Sequence, residues 1–192
     1  MKKRAFIIHG WDFNPDMNWY QWLKIELEKK GFEVFVPEMP DTSEPKIDSW
    51  TEILKKEVKK ADKETFFIGH SMGCQTIFRY LETLPIKAKI GGCVFVAGWF
   101  KLNNLEDEEV EAIANPWIKS PVNFDKIKTI AKKITVFLSS NDPYNCLEEN
   151  EEIFEIKLGA KVIIQENKGH FTEDDGVTEV PEVLNKVLEL AM

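Results

Sequence analysis

Six short runs of this chain, Arg4 to Ile8, Glu33 to Val36, Thr65 to Ile68, Cys93 to Ala97, Ile134 to Leu138 and Lys161 to Gln165, are rich in β-branched and aromatic residues. Most are apolar almost throughout instead of alternating with polar residues. A strand with one wet face alternates with period two, so unbroken apolarity requires a sheet covered on both faces, the usual condition of parallel strands. The segments between the runs carry helical spacing. Trp19, Trp22, Leu23, Leu27 and Lys30 recur near the helical period before Gly31, and Trp50, Ile53, Leu54, Val58 and Ala61 do so before the third run. Met72 to Leu84, Glu149 to Leu158 and Val180 to Ala191 read the same way. Strands alternating with helices of this length imply right-handed crossovers, and the fold class is α/β: an open parallel sheet with helices on both faces.

The stretch from Gly98 to Asn123 departs from this alternation. It carries Trp99, Phe100 and Trp117, an acidic run from Glu106 to Glu111 and two prolines, and it reads as a cap-like excursion of about residues 98–123. No repeat, low-complexity tract or linker composition interrupts the chain, so its 192 residues are expected to form a single domain. With 43% hydrophobic residues it has ample apolar surface to bury.

A formal net charge of -8 would repel a phosphate backbone, and Lys55, Lys56, Lys59, Lys60 and Lys63 are interleaved with acids, so no nucleic-acid partner is expected. Only Ala5 to Ile8 are apolar near the N-terminus, far short of a signal-peptide core of about 7 to 15 residues. No apolar run approaches the roughly 18 residues of a membrane span. These features lead to the expectation of a cytoplasmic protein with no membrane association. Cys74, Cys93 and Cys146, odd in number and widely spaced, read as reduced thiols.

The chemistry is concentrated in Gly69-His70-Ser71-Met72-Gly73. This G-x-S-x-G pattern follows the run Thr-Phe-Phe-Ile and opens a helical segment, the strand-turn-helix context of a nucleophile elbow. Small residues at 69 and 73 leave room for so tight a turn, and the serine hydroxyl is presented at a helix N-terminus, where free amides stabilise an anion. Ser71 is the candidate nucleophile. A serine hydroxyl needs a base, and the chain has three histidines: His9 ends the first run, His70 lies inside the elbow and His170 follows the last run. His170 is the candidate base. The chain order of this architecture places the orienting acid between serine and histidine, where Asp142 follows the fifth run in Ser140-Asn141-Asp142-Pro143. A bland alternative makes Asp142 a turn or helix-cap residue before Pro143, and if it is not the acid, Asp174 or Asp175 is the next candidate.

Acyl chemistry also needs donors for a developing oxyanion. The backbone amides of Met72, next to the serine, and Trp11, in the loop closing the first run, are the candidates. His9, His70, Trp99, Phe100 and Trp117 are candidate pocket residues, although tryptophans at strand ends often serve packing. Cys74, three residues past Ser71, reads as core, and the acidic clusters at 106–111 and 148–152 as solvated helix faces. No metal and no cofactor is expected.

These residues together resemble the small serine hydrolases related to retinoblastoma-binding protein 9 and the bacterial YdeN type. The resemblance runs over nearly the whole chain. It rests on His9-Gly10-Trp11, Asn18-Trp19, Trp22-Leu23, Met39-Pro40-Asp41, the elbow, Ser140-Asn141-Asp142-Pro143 and Gly169-His170-Phe171. It implies a six-stranded, mostly parallel sheet in the order 2-1-3-4-5-6, a short cap and a Ser-Asp-His triad at Ser71, Asp142 and His170. Some animal members have Asn beside the nucleophile and a Gly-rich loop after the first strand, so His70 and Trp11 stand nearer the bacterial type. An L-x-C-x-E motif of the kind tied to retinoblastoma-protein binding is absent, and Cys146-Leu147-Glu148 is not one.

The expected activity is hydrolysis of a small ester, thioester or amide through an acyl-enzyme on Ser71, with a small-molecule acyl substrate as the only partner inferred. Two alternatives remain at this level: a non-catalytic binding scaffold with the same fold, and an acyltransferase that hands the acyl group to an acceptor other than water.

Overall fold

The computed structural model describes residues 2–105 and 107–192. Glu106, the first residue of the acidic run noted above, lies outside them. Six strands, β1 (Arg4–Ile8), β2 (Glu33–Phe35), β3 (Thr65–His70), β4 (Gly92–Val96), β5 (Ile134–Ser139) and β6 (Lys161–Gln165), form one sheet in the order β2-β1-β3-β4-β5-β6. Every neighbouring pair is parallel. β1, β3, β4 and β5 are buried along nearly their whole length, which accounts for their unbroken apolar sequences.

Alternate residues of each strand feed two cores. Phe6, Ile8, Phe67, Phe95 and Val136 point to one face, against Trp50 and Leu54 of α2 (Ile47–Val58), Ile77 and Phe78 of α3 (Met72–Thr83) and Ile127 of α5 (Phe124–Ile130). Ala5, Ile7, Ile68, Val94 and Phe137 point to the other, against Leu23 and Leu27 of α1 (Tyr20–Lys29) and Val183 and Val187 of α7 (Pro181–Leu190). Burial of these side chains from both faces is the main driving force for the fold, at about 25 cal/mol per Å² of apolar surface removed from water.

Three helical segments extend or refine the sequence reading. α4 (Glu108–Lys119) spans much of the expected excursion even though Pro116 lies inside it. It is favoured at its start by Asp107, whose Oδ1 accepts from the amides of Glu109 and Val110, and by acids in the first turn beside the helix dipole. The short α5 has no clear periodic signal; Asn123 caps it by accepting from the amide of Lys126. The expected helix over 149–158 is α6 (Leu147–Glu152), which continues into a single wide turn over Ile153–Lys157 with i to i+5 character.

α4 is held to the body by Arg79 of α3. Its buried guanidinium donates to the carbonyls of Trp117, Ser120 and Pro121 at 3.1, 2.9 and 2.8 Å, placing a cation at the C-terminal end of α4. Asn150 secures the start of the same excursion: its Oδ1 accepts from the amides of Phe100 and Lys101 at 2.7 and 2.9 Å. No helix among the described residues is long and apolar enough to cross a membrane.

Candidate active site

At the C-terminal ends of β1, β3, β5 and β6, the loops that follow converge on one cavity of about 220 Å³. This edge of a parallel sheet is where ligands bind in open α/β folds. Ser71 lies in its wall with Met72, Trp11, Asp12 and Phe13. His170 and Tyr144 form a second wall, and Trp99, Leu102, Leu105 and Val110, from the excursion, a third.

Ser71 sits at φ +51° and ψ -116°, between the last residue of β3 and the first of α3. A left-handed conformation is costly for a residue with a side chain, so neighbouring bonds must hold it. The Ser71 amide donates to the carbonyl of Val96 at 2.9 Å, and its carbonyl accepts from the amide of Cys74 at 2.9 Å. The glycines are sterically required. A Cβ at Gly73 would lie 2.1 Å from the carbonyl oxygen of Ile8, and one at Gly69 would lie 2.8 Å from the amide nitrogen of Cys74. Cys74 is buried in the core and burial pushes its thiol pKa up, consistent with a packing role.

The His170 ring is oriented by Asp142. Nδ1 lies 2.8 Å from Oδ2 of Asp142, whose side chain is 0% exposed, while Oδ1 of the same carboxylate accepts from the amide of Tyr144 at 3.0 Å. Asp142 therefore fills both roles that its sequence position allows, a turn residue before Pro143 and a partner of His170. Asp175, the fallback acid, faces the backbone instead: its Oδ2 accepts from the amides of His170 and Thr172 at 2.8 and 3.1 Å. A Cβ at Gly169 would meet that carboxylate at 2.0 Å. Ser71 and His170 share the cavity, but no Ser71 Oγ hydrogen bond is formed among the described residues. Such contacts are often loose before substrate binds.

Met72 and Trp11, whose backbone amides are the candidate oxyanion donors, both line this cavity. Met72 begins α3, so its N–H has no intrahelical partner. Trp11 is oriented by His9. Nε2 of His9 accepts from the amide of Met39 at 3.1 Å, so Nδ1 carries the proton and donates to the carbonyl of Gly10 at 2.9 Å. Because a trans peptide sets C=O and N–H in opposite directions, this bond turns the Trp11 N–H away from His9. Burial lowers the His9 pKa and favours the neutral ring that this pattern requires.

Of the five candidate pocket residues, Trp99 lines the cavity and four do not. His9 and His70 are wholly buried behind it. Phe100 stacks on Phe78 at 5.1 Å between ring centroids, and Trp117 packs edge-on against Trp50 and donates its indole N–H to the carbonyl of Pro45 at 2.9 Å. Trp117 is buried where α4 packs on α2, and Phe100, which precedes α4, is partly buried against Phe78, Phe124 and Phe154. Phe13, Leu102, Leu105, Val110 and Tyr144 take their places, residues whose spacing shows no pattern pointing to a pocket. Among the described residues no group of three or more His, Cys, Asp or Glu side chains is placed to hold a metal ion.

Comparison with known proteins matches this chain to the serine hydrolase family model over residues 5–189. It is 28% identical to the Bacillus subtilis hydrolase YdeN over 182 residues, covering 94% of this chain and 92% of that protein. It is 30% identical to the serine hydrolase RBBP9 of Rattus norvegicus over 154 residues, covering 80% of this chain and 77% of the relative. The crystal structure of the B. subtilis ydeN gene product superposes with a TM-score of 0.89 at 26% identity, over 98% of each chain. Est1E of Butyrivibrio proteoclasticus shares the fold at a TM-score of 0.72 and 13% identity, over 99% of this chain and 88% of Est1E. The elbow, the paired histidine and carboxylate, and these similarities lead to one assignment: the chain belongs to the serine hydrolase family, with an α/β-hydrolase fold.

Proposed function

We propose that the protein hydrolyses small esters, thioesters or amides through an acyl-enzyme on Ser71. His170 removes the proton from Ser71 Oγ as the oxygen attacks the substrate carbonyl carbon, and Asp142 holds the His170 ring and stabilises its cationic form. The carbonyl π electrons move onto oxygen, and the amides of Met72 and Trp11 stabilise that oxyanion; removal of one such donor typically costs about 3 to 4 kcal/mol of transition-state stabilisation. Collapse breaks the bond to the leaving group, which receives the proton from His170. Water then attacks the acyl-enzyme with His170 again as base, which releases the acid and restores Ser71.

The observation that carries this reading is that Ser71, at φ +51°, shares one cavity with a histidine whose Nδ1 is 2.8 Å from a buried carboxylate. The size and lining of the cavity support this substrate class. About 220 Å³, bounded mainly by Trp11, Phe13, Trp99, Leu102 and Val110, suits a short apolar acyl group better than a long lipid chain. That Trp99, Leu102, Leu105 and Val110 line the cavity supports reading the excursion of about residues 98–123 as the cap of a single hydrolase domain.

The test is fluorophosphonate labelling of wild type and Ser71→Ala, read by intact mass, with p-nitrophenyl esters of increasing acyl length. Labelling of wild type alone, with turnover falling beyond short acyl chains, is expected. A folded wild type that neither labels nor turns over any ester would remove the acyl-enzyme reading and leave the binding scaffold in its place.

A further inference from the structure

We propose that Tyr20 and His70 form a hydrogen-bonded brace that positions His170 for its reaction by tying the loop that carries it to the loop that carries Trp11. The inference rests on the reading of Ser71 and His170 given above.

The bonding pattern can be worked out atom by atom. His70 Nε2 lies 2.8 Å from the main-chain carbonyl oxygen of His170. A carbonyl only accepts, so Nε2 carries the hydrogen and donates. His70 Nδ1 lies 2.6 Å from the Tyr20 hydroxyl. Burial, reinforced by the neighbouring His170, lowers the His70 pKa to about 3, so the ring is neutral, Nδ1 offers a lone pair and the Tyr20 O–H donates to it. The Tyr20 oxygen in turn accepts from the amide of Gly10 at 3.4 Å and from the Asn18 side chain at 3.4 Å. One directed chain of bonds thus runs from the Gly10 N–H through Tyr20 and His70 to the carbonyl of His170. Its ends lie in the two loops proposed to hold the oxyanion donor and the base, and His70 itself immediately precedes Ser71.

The His170 loop needs such external support. Asn167, Gly169 and Phe171 have φ of +55°, +52° and +59°, so alternate residues around His170 are left-handed and two of them carry side chains. Phe13 stacks on the His70 ring with centroids 5.5 Å apart and planes 3° apart, which fixes the ring plane, and Trp19 donates to the carbonyl of Phe171 at 3.0 Å. Neither Tyr20 nor His70 lines the cavity, so both act as positioning residues rather than catalytic ones.

The Tyr20 hydroxyl has a specific task within the brace. It holds His70 in the tautomer with hydrogen on Nε2. Without it Nδ1 has no partner, the Nε2–H bond to the His170 carbonyl must hold both tautomer and ring by itself, and the base loop loosens. A small displacement of a catalytic group can cost about a hundredfold in rate.

The test compares wild type with Tyr20→Phe, His70→Leu, His70→Gln and the Tyr20→Phe/His70→Leu double variant in kcat, KM for p-nitrophenyl butyrate, and thermal unfolding; ¹⁵N imidazole shifts report the His70 tautomer. Expected are a kcat loss of about 30- to 100-fold in Tyr20→Phe and His70→Leu with KM within about twofold. His70→Gln, whose amide can donate to the His170 carbonyl, should recover most of that loss, and the double variant should be no slower than His70→Leu, because both changes act through one bond. Folded Tyr20→Phe and His70→Leu variants with wild-type kcat would overturn the brace, as would a His70→Gln variant no faster than His70→Leu. If wild type itself is inert, the Ser71 reading fails. In that case a wild-type His70 protonated on Nε2, with an Nδ1 shift that moves in Tyr20→Phe, still supports the brace, and an Nδ1-protonated His70 or an Nδ1 shift unchanged in Tyr20→Phe overturns it.

Discussion

Oδ2 of Asp142 meets Nδ1 of His170 at 2.8 Å while Oδ1 of the same carboxylate accepts from the amide of Tyr144, so one buried side chain both shapes the loop after β5 and aims the imidazole at the end of β6. The two functions are separable by substitution. Asp142→Asn can retain the acceptor for Tyr144 but presents an amide to His170, which favours the wrong tautomer. Turnover of p-nitrophenyl esters is expected to fall by about 10³- to 10⁴-fold with thermal unfolding little changed. An unaltered rate would take Asp142 out of the mechanism.

Arg79 is the main anchor of the cap. Replacing it by Met would leave the carbonyls of Trp117, Ser120 and Pro121 without their charged donor, and a loss of about 2 to 4 kcal/mol is expected in urea unfolding. Because α4 contributes Val110 to the cavity wall, KM for short-chain esters should rise in the same variant. An unchanged unfolding midpoint with unchanged KM would show that α4 is held by its apolar side alone.

The buried histidines make stability dependent on acid. His70 has a folded pKa of about 3 against an ordinary value of 6.5, and His9 is shifted in the same direction. Above about pH 6.5 both folded and unfolded chains hold these rings neutral. Below it the unfolded chain binds a proton that the folded chain refuses at His70, so stability falls as pH drops from 6.5 towards 3, by up to about 1.4 kcal/mol per pH unit, and His9 adds a loss of the same sign. Between pH 7.5 and 5, wild type should therefore lose about 2 kcal/mol more than His70→Gln. Parallel stability curves for the two proteins would contradict the depressed pKa.

Gly73 and Gly159 should respond differently to alanine. A Cβ at Gly73 would overlap the Ile8 carbonyl at 2.1 Å, a contact between two backbones that cannot relax separately. Gly159 has φ +63° but nothing within 4 Å of the added carbon. Gly159→Ala should cost only the left-handed strain of about 1 to 2 kcal/mol, whereas Gly73→Ala should cost more than 3 kcal/mol or yield no soluble protein. Comparable losses from calorimetry would mean that the elbow yields more easily than its geometry implies.

The sheet was legible in the sequence because burial on both faces leaves a local mark, a strand apolar at successive positions, and Gly69-His70-Ser71-Met72-Gly73 shows its turn within five residues. The acidic cluster at 106–111 reads as a helix face, but the extent of α4 through Pro116 was not legible, because the supporting bonds, from Asp107 at one end and Arg79 at the other, are not visible along the chain. The pocket was harder still. Trp117 and Phe100 have the same aromatic character as Trp99, and only the rotation of α4 and the path of the loop before it decide which rings face Ser71. Likewise nothing local distinguishes His9 and His70, held neutral in the interior, from His170, held at the cavity wall. The sequence by itself determined the fold class and the strand-turn-helix around Ser71, because each depends on neighbours within a few residues, and it made Asp142 and His170 candidates by their positions after the fifth and sixth runs. The tertiary structure alone decided the cavity lining, the orientation of His170 and the link from Tyr20 through His70 to its loop, since these depend on hydrogen bonds and packing between residues far apart in the chain, as in the bond from Trp19 to Phe171 across 152 positions.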